Sequence, residues 1–180
     1  MSAALVLIDV QRAIDDPSWG RDRNNPDAER NMRRLLEQWR ADAWPIFHIR
    51  HASTEPESTY RRDRPGFAFK EEVLPLAGER VLEKQTNSAF IGTTLETELR
   101  AAAITRVVIA GVITNNSVEA TVRMCGNLGF ETVVVADATA TFGRFDYDGH
   151  WRTAQEVHAL SLANMNGEYA TVLTTAQLLR

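Results

Sequence analysis

Short apolar runs and helically spaced apolar residues alternate along the whole chain. Largely apolar runs, typical of strands buried on both faces of a sheet, lie at 3–8, 46–49, 107–110 and 132–136. Between them, apolar residues recur at helical spacing, as in Met32, Leu35, Leu36 and Trp39. Strands that alternate with helices predict an α/β fold, with a mostly parallel sheet covered by helices on both faces.

The remaining segments fit the same pattern. Helices are predicted at 26–43, 93–103, 118–128 and 153–166, a short strand at 81–82, a last strand at 169–173 and a terminal turn at 176–179. Two stretches, 51–70 and 140–151, have no clean periodicity and are predicted as irregular loops. Irregular stretches of this length in a compact domain usually carry function.

The segment 107–138 has the clearest pattern, that of one strand–helix–strand unit. Its first apolar run breaks at Gly111, and a polar turn at 114–117 leads into a helix that stops near Gly129. A second buried strand then ends at Asp137. Open α/β sheets bind ligands at the carboxyl ends of their strands. Ser117, at the turn into the helix, is therefore a candidate functional residue.

The composition is that of an ordinary globular protein, with 44% hydrophobic and 24% charged residues. A length of 180 residues predicts a single domain, spanning residues 1–180. The net charge of −4 argues against a nucleic-acid partner, because nucleic-acid binding usually requires a basic face.

The N-terminal segment and the cysteine content bear on localisation. Residues 1–5 lack the basic region of a signal peptide, and Asp9 interrupts the apolar run that a membrane span would need. The single cysteine, Cys125, allows no intramolecular disulfide, which fits a reducing compartment. We therefore expect a cytoplasmic protein that does not bind membranes.

Three polar residues that could carry chemistry each follow a predicted strand: Asp9, Lys84 and Ser117. If the strands are parallel neighbours, all three side chains converge at one edge of the sheet. The carboxylate could exchange a proton, and the lysine could keep that carboxylate charged or stabilise a developing anion. The hydroxyl could attack or bind a substrate, beside helix N–H groups that could form an oxyanion hole.

Each of these residues also has a purely structural interpretation. Serine is a preferred N-cap, so Ser117 could simply cap its helix. Asp9 could pair with an arginine, and Lys84 taken alone is typical of the surface. A charge placed directly after a buried strand nevertheless requires a partner, which favours a role for Asp9 in a site.

Several motifs together resemble the isochorismatase-like hydrolases, also called the cysteine hydrolase superfamily. They are LIDVQ (7–11), EK (83–84) with SAF (88–90), GVIT (111–114) with VEAT (118–121), DA (137–138) and the late segment around His158. The resemblance covers nearly the whole chain with its motifs in order. It implies a doubly wound, three-layer α/β fold of the Rossmann type with a six-stranded parallel sheet.

The resemblance also implies a site for a small-molecule substrate. Asp9 and Lys84 match the first two members of an Asp–Lys–Cys triad, and a cis peptide bond before Ile113 helps to shape the family's oxyanion hole. Residues expected to bind substrate or form that hole are Gln11, Phe90, Val112, Ile113 and Asn116. No cofactor is implied.

The chain departs from the family at the nucleophile, because the family's cysteine falls on Ser117. Cys125 lies eight residues further along the same helix, about 12 Å away, and cannot replace it. A serine hydroxyl needs an adjacent strong base, and an aspartate with a pKa near 3.9 is a poor one. The amidase mechanism of the cysteine members should therefore be weakened.

Two chemistries and one rival function stay open. Asp9 could act as a general acid that cleaves a vinyl ether, as the isochorismatases are thought to do, with Ser117 positioning substrate or water. Ser117 could instead attack an amide or ester slowly. The rival is a catalytically silent small-molecule binder on the same fold, since fold does not guarantee function.

The histidines give no convincing metal site. Nicotinamidases in the family bind a metal through an Asp-x-His pair and a further histidine, but this chain has His48 and His51 with no such pair. His158, beside apolar residues of a predicted helix, is expected to be structural. We also expect a homo-oligomer, mainly from the resemblance, with support from the apolar and aromatic content of 140–151.

Overall fold

A parallel six-stranded sheet forms the centre of the computed structural model, which describes residues 3–180. The strands in chain order are β1 (Ala3–Ile8), β2 (Ile46–His51), β3 (Arg80–Lys84), β4 (Arg106–Val112), β5 (Glu131–Ala140), β6 (Arg144–Phe145), β7 (Trp151–Arg152) and β8 (Thr171–Leu173). Within the sheet the order is β3–β2–β1–β4–β5–β8, and β6 pairs with β7 in a separate antiparallel hairpin. The winding direction reverses between β1 and β4, which is where a doubly wound sheet opens a ligand-binding crevice.

Helices cover both faces of the sheet and give the molecule three layers. They are α1 (Ala28–Ala41), α2 (Leu95–Ala101), α3 (Glu119–Asn127), α4 (Ala154–Met165) and α5 (Thr175–Leu178). Strand β1 is buried throughout, and its side chains alternate between two cores. Leu5 and Leu7 pack in the core that contains the apolar stripe of α1, whereas Val6 and Ile8 pack in the core that contains residues of α2 and α3.

The predicted α/β fold and its six-stranded parallel sheet are confirmed, but some local predictions are wrong. Strand β5 continues to Ala140, four residues beyond the predicted end. The segment 140–151, predicted as an irregular loop, contains the β6–β7 hairpin. A strand of two residues is too short to show the alternation of apolar and polar residues from which a strand is predicted. The polar turn at 114–117 is the start of a π-helical turn, Thr114–Val118, that leads directly into α3.

Residues 3–180 contain no helix with both the length and the apolar character needed to cross a bilayer. The interpretation of residues 1–5 as lacking a signal peptide includes Met1 and Ser2, which lie outside the described residues.

Candidate active site

Asp9 lies at the carboxyl end of β1, where the backbone leaves the strand abruptly. Its φ of 54° is in the left-handed region, which is uncommon for a residue other than glycine and is often found at functional sites. The adjoining end of β4 approaches β1 closely at Gly111, whose φ is 136°. A Cβ atom at that position would collide with the backbone of Ile8. Glycine therefore permits the close approach of β4 to the strand end that carries Asp9.

Lys84, the last residue of β3, reaches past the end of β2 to meet Asp9. Its Nζ donates to Asp9 Oδ2 at 2.6 Å, to the backbone oxygen of Thr86 at 3.0 Å and to Ser117 Oγ at 3.4 Å. These three acceptors match the three N–H donors of an ammonium group. Asp9 and Lys84 are only 3% and 2% exposed, so water screens their charges little.

Ser117 completes the group of three side chains predicted to converge. It is buried within the π-helical turn between β4 and α3. The N–H groups of Asn116 and Val118 in this turn both donate to the backbone oxygen of Ile113, at 3.1 and 3.3 Å. Those two N–H groups are therefore already occupied. The peptide bond between Val112 and Ile113 is cis, as the family resemblance implies.

Asp9 has the electrostatic environment of a carboxyl group that retains its proton unusually well. Burial raises its pKa above the ordinary value, and the nearby Lys84 ammonium offsets part of that increase. Oδ2 is held by Lys84, whereas the buried Oδ1 has no hydrogen-bond partner among the described residues. Lys84 thus fixes one oxygen of the carboxyl group, while the other is enclosed without a hydrogen-bond partner.

A cavity of about 140 Å³ opens beside these side chains. Its walls combine polar groups with aromatic and aliphatic ones, a mixture typical of small-molecule sites. The lining residues are Asp9, Trp19, His51, Ser58, Tyr60, Asn87, Val112, Ile113, Asn116 and Ser117. A small molecule could enter with its reacting bond beside Asp9 and Ser117.

Two of the residues predicted to bind substrate do not line this cavity. The Gln11 side chain is fully buried; its Nε2 donates to the backbone oxygens of His51 and Phe67, both at 3.1 Å, and its Oε1 accepts from the His51 N–H at 2.7 Å. Gln11 thus fixes the end of β2 against the following loop. Phe90 packs against the core and stacks on Phe130, with ring centroids 6.2 Å apart.

Sequence reasoning did not assign a catalytic or binding role to His51, Tyr60 or Asn87, which line the cavity. His51 ends β2 just as Asp9 follows β1 and Lys84 ends β3, so the same strand-end rule could have found it. Tyr60 belongs to the irregular stretch that was predicted to carry function. No periodicity indicates which residues of such a stretch turn inward.

His48 and His51 lie on opposite sides of β2, as expected for residues an odd number of positions apart on a strand. His48 Nε2 is 2.8 Å from Glu79 Oε2, whereas His51 lines the cavity. His158 is buried with its Nδ1 3.0 Å from Thr114 Oγ1, which fits the structural role expected for it. Among the described residues, no three or more His, Cys, Asp or Glu side chains are grouped so that they could hold a metal ion.

Comparison with known proteins gives consistent results along the whole chain. The isochorismatase domain family matches residues 3–177. The isochorismatase family protein YrdC of Bacillus subtilis is 46% identical over 176 residues, which are 98% of this chain and 94% of YrdC. The maleamate amidohydrolase of Pseudomonas putida is 34% identical over 110 residues, 61% of this chain and 46% of that enzyme.

A solved structure agrees with the sequence comparisons. The crystal structure of an isochorismatase-family protein from Chromobacterium violaceum superimposes with a TM-score of 0.96 at 56% sequence identity. The alignment covers 99% of this chain and 92% of the other. The sheet order and helical layers described above are therefore also those of a solved relative.

Proposed function

The chain belongs to the isochorismatase family, and we propose that it is a hydrolase in which Asp9 transfers the proton and water is the attacking group. The substrate is a small molecule with an amide, ester or vinyl-ether bond. The observation that carries this proposal is the buried contact between Lys84 Nζ and Asp9 Oδ2, 2.6 Å long, at the wall of a cavity.

Asp9 acts as a general acid in this proposal. Burial raises its pKa, so the protonated form is easier to reach than for an exposed aspartate, and Asp9 lines the cavity that a substrate would enter. Lys84 fixes the carboxyl group through Oδ2 and stabilises the carboxylate that forms once the proton has left. Proton transfer by a positioned side chain contributes about 10²- to 10⁴-fold to the rate.

Ser117 binds or orients the substrate rather than attacking it. It stands where the resemblance places the family's cysteine, and its Oγ receives a hydrogen bond from Lys84 at 3.4 Å. A hydroxyl that accepts from an ammonium group is not being deprotonated by it. The hydrogen bonds of the described residues also pair Ser117 Oγ with no histidine, the base that an attacking serine usually requires.

Ser117→Ala is therefore expected to retain hydrolysis, with kcat within about tenfold of the wild type. The reason is that the alanine removes one substrate contact but leaves the acid and its lysine in place. Steady-state kinetics of the two proteins on the same substrate give the comparison. A covalent acyl adduct on Ser117 in the wild type, detected by mass spectrometry, would show that the serine attacks and that this assignment is wrong.

A three-substrate panel tests the proposal as a whole. Maleamate represents amides, as in the name of the Pseudomonas relative, with 4-nitrophenyl acetate for esters and ethyl vinyl ether for vinyl ethers. Wild type is compared with Ser117→Cys on each compound. Turnover by wild type supports the hydrolase. Activity gained only by Ser117→Cys, with ligand binding but no turnover by wild type, would instead favour a silent binder that has lost its nucleophile.

We also propose that copies of this chain associate through the surface around the β6–β7 hairpin. Large apolar side chains are exposed there: Phe145 by 64%, Tyr147 by 97%, Trp151 by 49% and Leu160 by 66%. Adjacent exposed apolar groups of this size commonly mark protein interfaces.

Light scattering at micromolar concentration is expected to give a multiple of the 20.2 kDa chain mass. Paired substitution of Tyr147→Asp and Leu160→Asp should shift the mass to that of a monomer, because charges would have to be buried in the interface. Leu74→Asp, at a leucine that is 50% exposed elsewhere, is the matched control and should leave the mass unchanged. A monomeric wild type would contradict the proposal.

A further inference from the structure

His51 occupies a position equivalent to those of the catalytic candidates, at the carboxyl edge of the sheet. It is the last residue of β2, which lies between the strands that carry Asp9 and Lys84, and it is paired in register with Lys84. Its side chain lines the cavity together with Asp9 and Ser117. A titratable imidazole therefore shares the small cavity with the proposed acid.

The backbone and ring of His51 are held in place, while Nδ1 of the ring has no hydrogen-bond partner among the described residues. Gln11 binds both the N–H and the carbonyl oxygen of the His51 backbone, and the ring packs edge-on against Tyr60 with centroids 5.7 Å apart. Nδ1 is enclosed and has no hydrogen-bond partner among the described residues. Nε2 is therefore the nitrogen left to exchange a proton with the cavity.

The charged and titratable groups facing His51 leave the ring neutral near pH 7. Burial lowers its pKa, Asp9 raises it and Lys84 lowers it. Tyr60, the other titratable group in contact, stays neutral because burial raises its pKa well above 10. A neutral imidazole can accept a proton, whereas an imidazolium cannot.

We propose that His51 is the general base that activates the attacking water, with Asp9 as the acid of the same reaction. One O–H bond of the water breaks, its proton passes to His51, and the water oxygen forms a bond to the electrophilic carbon of the substrate. Asp9 gives its proton to the substrate as the scissile bond breaks. The imidazolium then returns its proton to the Asp9 carboxylate through solvent, so one water is consumed.

This inference rests on the proposed hydrolase function and explains how the site works without a thiol. The activating group is the histidine at the end of β2 rather than a residue of the Asp9–Lys84–Ser117 group. The other histidines have different surroundings: His48 contacts Glu79, His158 contacts Thr114 and His150 is exposed.

The test is the pH dependence of maleamate and 4-nitrophenyl acetate hydrolysis by His51→Gln, with His150→Gln as the matched control. His51→Gln is expected to lose at least about 100-fold in kcat with KM nearly unchanged. The decline of wild-type kcat/KM at low pH, where His51 becomes protonated, should disappear in this variant. Added imidazole should restore part of the rate. His150→Gln should keep the wild-type rate and profile.

A second variant and a measurement without turnover keep the inference testable if His51→Gln folds poorly. His51→Asn should give the same altered profile, and histidine NMR of wild type should show the His51 ring neutral at pH 7. A ring still protonated at pH 7, or a His51 variant that retains both kcat and the low-pH decline, would overturn the inference. If the inference is overturned in this way, Asp9→Asn shows how far the failure extends. Loss of activity in Asp9→Asn would mean that only the role of His51 is wrong. Full activity in Asp9→Asn would mean that the proposed function is wrong as well.

Discussion

Replacement of Asp9 by asparagine is expected to lower kcat about 1000-fold on any compound that the wild type hydrolyses. Asparagine has nearly the same shape and can still accept a hydrogen bond from Lys84, but it has no acidic proton to give. Loss of a positioned acid typically costs 10²- to 10⁴-fold. Asp63→Asn makes the same chemical change at an exposed residue and is the matched control.

The pH profile of the wild type adds a second readout of Asp9. Because the reaction needs the protonated carboxyl group, kcat/KM should fall as the pH rises through the raised pKa of Asp9. The residual activity of Asp9→Asn should lack this decline. An Asp9→Asn protein with wild-type kcat and the same high-pH decline would show that another group supplies the proton.

Lys84→Met is expected to reduce the free energy of unfolding by about 3–5 kcal/mol near neutral pH and to lower activity strongly. Removal of one member of a buried ion pair leaves the other charge without compensation. Lys84 and Asp9 are only 2% and 3% exposed, so water cannot substitute for the missing ammonium. Denaturant unfolding of wild type and variant across a pH series gives the measurement.

The destabilisation should depend on pH in a defined direction. The folded-state pKa of Asp9 is already raised, and loss of Lys84 removes the main influence that opposes this increase. A group with a raised folded-state pKa contributes stability below its unfolded pKa and loses that contribution as the pH rises through the folded value. The penalty of Lys84→Met should therefore be smallest in acid and grow with pH.

The double variant Asp9→Asn with Lys84→Met separates stability from catalysis. Because both buried charges are removed, it should recover much of the stability that Lys84→Met loses, while activity remains absent. A Lys84→Met protein as stable as wild type at pH 8 would mean that the two side chains do not form a buried ion pair.

The positions of Asp9, Lys84 and Ser117 could be predicted because they follow a general rule of parallel sheets. Asp9 directly follows an apolar strand, Lys84 ends the next strand but one in the sheet, and Ser117 lies in the turn after a third strand; the ends of parallel strands meet at one edge of the sheet. Lys84 Nζ indeed contacts both of the other side chains. The sequence pattern does not predict that Asp9 Oδ1 has no hydrogen-bond partner, because this depends on how several loops pack around it.

The remaining walls of the cavity were harder to predict, because they come from irregular chain. Trp19 and Tyr60 approach each other edge-on from two separate segments, with ring centroids 6.3 Å apart. Nothing in their local sequence determines which loop residues meet. Gln11, which lies two residues beyond Asp9, was expected to bind substrate. Its side-chain amide instead forms hydrogen bonds with the backbone of His51 and does not line the cavity.

The presence of serine where the family resemblance places a cysteine changes what the same framework can do. The cation that would stabilise a thiolate here contacts a hydroxyl, which has a far higher pKa and stays protonated. Asp9 and Lys84 nevertheless form a buried pair, and the His51 side chain lines the same cavity as Asp9. That combination fits hydrolysis by water better than hydrolysis through a covalent intermediate.

The most direct measurement is turnover of maleamate, 4-nitrophenyl acetate and ethyl vinyl ether by wild type and Asp9→Asn, purified and assayed side by side. The account predicts that wild type hydrolyses at least one of the three compounds and that Asp9→Asn loses this activity by about 1000-fold. Equal turnover by the two proteins, or binding of these compounds by wild type without any turnover, would contradict it.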